Sequence, residues 1–164
     1  MPPAPSDVND RESREGFLRD GAFDAMASLR ADTPAGWGRM TAQQMVEHLE
    51  WVFEISTGRV CVACPVPEER RERYKPFLYS NMPTPREFVN TALVDGLPPL
   101  RHASLVDAIE ALRAEVRRFF DQAAQEPDAR FAHPVFGPIA AEEWSRSHFK
   151  HVRHHLLQFR LIDE

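Results

Sequence analysis

Apolar residues form stripes in four stretches of this chain, and each stretch predicts an amphipathic helix. The first runs from about Val8 to Arg30, with Phe17, Ala22, Met26 and Leu29 as its stripe. Pro34, Gly36 and Gly38 break the pattern, and Thr41 with Gln44 has the spacing of a capping box, so a second helix starts there and runs to about Thr57. Ser104 is a good N-cap for a third, whose stripe of Leu105, Ile109, Leu112, Val116, Phe119 and Phe120 lasts to about Ala124. Glu142 and Glu143 place negative charge in the first turn of a fourth, from about Ala141 to Ile162, and HPVFGP at 133–138 forms the turn before it.

Between the second and third helices, residues 58–103 carry seven prolines, too many for a long regular element. This long connection is expected to be mostly loop, with short helical pieces near Glu68 to Tyr74 and Pro85 to Val89. Loops of this length often cover a site. Residues 1–8, rich in proline, read as a flexible start. No segment alternates apolar and polar residues, so each stripe must be covered by the others, and the expected fold class is all-α, a four-helix bundle in one domain spanning 1–164.

A chain of 164 residues with 43% hydrophobic positions suits one domain with one core. Its formal charge of −5 repels a polyanionic backbone, which makes nucleic acid a poor partner. With no signal-like start and no run approaching eighteen apolar residues, a cytoplasmic location and no membrane association are expected. A second copy of the chain is a candidate partner, though no apolar patch marks the interface.

The last helix concentrates histidines in SHFKHVRHHLLQF, residues 147–159. At about 100° per residue from Trp144, His148 falls near 40°, His151 near 340° and His155 near 20°, on the stripe that faces the core, while His154 falls near 280°, off it. Each buried imidazole brings a donor and an acceptor that need partners. Two histidines four apart can present nitrogens to one ion, and His48, on the apolar face of the second helix, offers a third. Core histidines bonded to hydroxyls or carbonyls are the alternative reading. Glu47, Glu50 and Glu54 fall on the opposite face and read as solvated.

Cys61 and Cys64 form a lone CxxC pair, either a redox couple or half a zinc site, or else two incidental small apolar side chains. Missing are a Ser/His/Asp set, a Gly-rich phosphate loop and a basic-aromatic stripe.

The segments WGRMTAQQMVEHL (37–49) and HFKHVRHHLLQF (148–159) resemble the two histidine-bearing segments of the DinB-like metal-binding bundles. HPVFG (133–137) and EEW (142–144) are similar to a branch of that family known mainly as domains of unassigned function. Carried over by position, the resemblance implies that His48, His151 and His155 ligate one divalent metal, zinc or nickel. Ala140 departs from it, standing where a hydroxyl residue would cap the last helix.

Three neutral histidines leave a coordination position for water or substrate, the layout of a catalytic site. The resemblance implies a metal-dependent enzyme on small molecules, either a transferase using a low-molecular-weight thiol or a hydrolase. His148 is the candidate catalytic base of the hydrolase reading, and Gln158 a candidate to orient a ligand ring. His133 could reach the site mouth. The alternative is a bundle that binds metal or a small ligand without turnover.

Overall fold

The computed structural model describes residues 7–86 and 96–163. The chain is mostly helical, with one two-stranded sheet. Helix α1 runs as α-helix over Arg11–Gly16, as a π turn over Phe17–Gly21 and as α-helix again over Ala22–Met26. The five-residue step from Phe17 to Ala22 is too long for an α turn, and the π turn supplies the extra residue that keeps both buried. The flexible start does not extend to Val8, which is buried. Its N–H donates to Asn81 Oδ1 at 2.9 Å, and its carbonyl accepts from the fully buried Arg14 at 2.6 Å.

Helix α2 covers Ala42–Ser56, and the expected capping box forms between Thr41 and Gln44. In the long connection, α3 occupies Glu68–Tyr74, where a helical piece was expected, and α4 occupies Pro76–Tyr79, which was not anticipated. The α4 turn exists to bury Leu78. The piece expected near Pro85 to Val89 falls largely outside the described residues. Helix α5 spans Leu105–Gln125, with the Ser104 hydroxyl accepting from the Asp107 N–H.

Strands β1 (Phe131–His133) and β2 (Gly137–Ile139) pair antiparallel across the expected turn, with Phe131 opposite Ile139. Strands of three residues are too short to display an alternating pattern, so sequence reading missed them. Helix α6 covers Ala141–Gln158 and starts at Ala140 with no side-chain cap. It stops four residues before the expected end. Arg160 turns left-handed at φ 56°, and the Leu161 N–H reaches back to the Leu156 carbonyl at 2.9 Å, which folds Leu161 and Ile162 into the core.

Helix α2 packs along α5 and against α6, while α1 packs against α6 and α5. Their buried faces merge into one cluster that includes Met45, Leu49, Phe53, Leu112, Phe119, Trp144 and Leu156. Among the described residues, no helix is long and apolar enough to cross a membrane.

Candidate metal centre

Where α2 meets α6, three imidazoles converge. His48 Nε2 and His155 Nε2 each lie 3.0 Å from His151 Nε2, and the ligand nitrogens of all three fall within 4.8 Å of one another. His48 and His155 are buried and His151 is half-buried. A neutral imidazole nitrogen has either one lone pair or one hydrogen, so His151 Nε2 cannot make a good hydrogen bond to both neighbours. A shared cation resolves the conflict, because each nitrogen then directs its lone pair at the ion. The two separations of 3.0 Å suit nitrogens at roughly 2.1 Å from one ion, and a pair at the 4.8 Å limit would have to close to about 4.2 Å or less to share it. The three side chains lie close enough to hold a metal ion.

The tautomer of one ring is fixed by its surroundings. Gln158 Nε2 donates to the Trp37 carbonyl at 2.9 Å, which turns Gln158 Oε1 towards His155 Nδ1 at 2.8 Å. His155 Nδ1 therefore carries the proton, and its Nε2 is left with a lone pair facing the cluster. Gly38 makes room for this chain. It sits at φ 77°, and a Cβ there would come within 2.7 Å of Gln158 Nε2. Gly36 donates its N–H to the Gln158 backbone carbonyl at 2.7 Å, so the loop before α2 grips the end of α6 twice.

Burial keeps all three rings neutral. It pushes His48 down to about 4, helped by the nearby His154. His151 and His155 also lie well below the ordinary histidine value, through burial first and then the neighbouring imidazoles. Neutral rings are the form that ligates metal. Nδ1 of His48 is buried and has no partner among the described residues.

His148 is not brought into this group. Its ring lies fully buried, stacked on Phe53 with centroids 3.6 Å apart and 5° between planes. Ser56 Oγ donates to the Phe53 carbonyl and accepts from His148 Nε2 at 2.8 Å. A ring enclosed in this way sits in the core, hydrogen-bonded to a hydroxyl, rather than at a water-bearing face. The reason is the one-turn offset from His151, which brings it under Trp144 and Phe119 instead of His48.

His133 likewise turns inward. Its Nδ1 accepts from the N–H groups of Val135 and Phe136, and its Nε2 lies 3.1 Å from Ser147 Oγ, so it ties the hairpin to α6. His154 is outside the group, edge-on to Trp37. Cys61 is exposed and Cys64 half-buried, both as free thiols.

The solvated reading of Glu47, Glu50 and Glu54 is corrected, for all three are buried. Spaced along one face of α2, they receive the end of the long connection. Glu47 accepts from the backbone N–H groups of Arg101 and His102 at 2.7 and 3.1 Å. Glu50 binds the Arg101 guanidinium and the His102 ring, and Glu54 takes Arg101 Nη1 at 2.9 Å. Helical periodicity located the face correctly but could not reveal that another segment covers it.

Beside His48, a small cavity of about 20 Å³ is lined by Gln44, Glu47, Trp51, Leu97, Pro98 and Leu100. That is room for about one water. Sequence reading also missed Trp37 and Gly38 as supports of His155. Gly36 and Gly38 registered as helix breakers, and a backbone carbonyl leaves no signature in a side-chain pattern. No family model, no curated protein and no solved structure matches the chain.

Proposed function

We propose that this chain is a DinB-like four-helix bundle that binds one divalent ion, zinc or nickel, on His48, His151 and His155, and acts on small molecules as a metal-dependent enzyme. The observation that carries the reading is the convergence of three neutral Nε2 atoms that cannot satisfy one another by hydrogen bonding. When bound, the ion would supply Lewis acidity, holding a thiol as its thiolate or acidifying a water.

The chain's own residues favour thiol transfer over hydrolysis. A hydrolase gains from a protein base beside the reacting water. His148 is locked between Phe53 and Ser56, and Glu47, Glu50 and Glu54 are committed to Arg101 and His102. A transferase needs no such base, only ligand histidines held in the correct tautomer, the role of Gln158 and Trp37 towards His155.

A second reading, a bundle that binds metal without turnover, is favoured by the narrow space beside His48. One set of experiments separates them. Elemental analysis of the purified protein is expected to find about one ion per chain, lost in His48→Ala and in His151→Ala/His155→Ala while helical content survives. The loaded protein is then incubated with a panel of low-molecular-weight thiols and an electrophile. Loss of thiol supports the transferase, and no turnover with any thiol sinks it. Absence of metal after loading with zinc and nickel sinks both.

A further inference from the structure

A second cavity, of about 220 Å³, lies beside α6; none of the three clustered histidines lines it, but His154, whose ring stands 5.1 Å from that of His155, does. Its lining is unusual for a chain of net charge −5. Lys150 and Arg153 contribute beside Arg86, and among the described residues no Asp or Glu lines it. Lys150 is buried, and among the described residues its ammonium meets the Met82 carbonyl at 2.7 Å and the face of Phe77 at 4.0 Å. Neither Lys150 nor Arg153 forms an ion pair among the described residues.

Two donors here also lack acceptors. Arg153 Nε and Trp37 Nε1 are both buried, with no hydrogen-bond partner among the described residues. Leaving such groups unpaired is costly, and the cost is greater for the charged one. The remaining walls include Phe149, Leu157 and the Trp37 ring, over which the Arg86 guanidinium lies at 4.5 Å. Cations and unpaired N–H donors ask for an acceptor-rich anion, and the apolar walls ask for a hydrophobic body attached to it.

We propose that this cavity binds a small organic anion, a carboxylate or phosphate ester carried on an aromatic or aliphatic body, with its acidic group on Arg153, Lys150 and the Trp37 indole N–H. The site uses none of the three clustered histidines, and it shares with their surroundings the residue Trp37, whose carbonyl holds Gln158 and whose indole N–H borders the cavity.

The test is calorimetric titration of the metal-stripped full-length protein at low salt with benzoate, phenyl phosphate, benzamide and inorganic phosphate. Benzoate and phenyl phosphate are expected to bind at one site per chain. Benzamide, which lacks the charge, and inorganic phosphate, which lacks the body, are expected to bind at least about tenfold more weakly. Arg153→Met is expected to lower benzoate affinity by about tenfold or more, and Trp37→Phe, which removes the indole N–H together with one ring of the bicycle, by about fivefold or more. His48→Ala is expected to bind benzoate like the parent, which keeps this result separate from the fate of the metal site.

Equal binding of benzamide and benzoate would make the cavity merely apolar and overturn the proposal. So would failure of both organic anions to bind at millimolar concentration, or inorganic phosphate binding as well as phenyl phosphate. Should Arg153→Met lose its helical signal, unchanged affinity in Trp37→Phe overturns it alone.

Discussion

Replacing Gln158 by leucine tests whether the cluster is a metal site whose ligand ring is oriented from behind. The substitution keeps the side-chain volume roughly constant and removes two hydrogen bonds, from His155 Nδ1 to Gln158 and from Gln158 to the Trp37 carbonyl. The His155 N–H is then left buried without an acceptor, a loss of about 1–3 kcal/mol. Losing the group that orients a ligating histidine lowers metal affinity by roughly 10–100-fold. Competition for zinc against a chromogenic chelator measures that affinity, and thermal melting of the metal-free protein measures stability separately. Gln158→Glu keeps an acceptor for His155 and is expected to recover most of the affinity. Unchanged zinc affinity in Gln158→Leu beside a lowered melting temperature would refute the reasoning, because Gln158 would then be no more than a tie between α6 and the loop before α2.

The other predictions can be checked with the same preparations. Gly38→Ala forces an L-residue to a positive φ, worth about 1–2 kcal/mol, and drives its Cβ against Gln158, so it should lower both stability and zinc affinity, as read by melting and chelator competition. His148→Leu should leave one ion per chain by elemental analysis, and loss of the ion with the fold intact would place His148 among the ligands after all. Burial pushes His133 down to about 3 in the folded chain, whereas unfolded histidine titrates near 6.5. Between those values the unfolded chain binds the extra proton, so stability is complete above about pH 6.5 and falls by roughly 1.4 kcal/mol per unit as pH drops towards 3. Urea unfolding of metal-free protein across pH 7 to 4 should show a shallower slope for His133→Gln than for the parent, by about one proton.

The sequence pattern carried the long helices because each has a wide apolar face, and two of them, α2 and α5, also have a side-chain cap, at Thr41 and Ser104, whereas α6 starts at Ala140 without one. It also singled out the three histidines that meet, since periodicity fixes the direction in which a helical side chain points. It failed where the decisive partner was not a patterned side chain. The grip on Gln158 comes from the Trp37 carbonyl and the Gly36 N–H, and the burial of Glu47, Glu50 and Glu54 comes from Arg101 and His102 at the far end of the long connection. His148 and His155 share one stripe, yet only neighbours on α2, Phe53 for one and His48 for the other, decide which is core and which faces the cluster.

Glu54 holds both ends of the long connection: its carbonyl accepts from the N–H groups of Arg59 and Val60, and its carboxylate takes Arg101. A protease cut in α3, where no side chain is buried, would therefore leave both stubs fastened to the same residue. The two fragments would part on a denaturing gel yet migrate together when native. His48 would lie on one piece and His151 with His155 on the other, so a bound ion would itself become a bridge between two separate polypeptides.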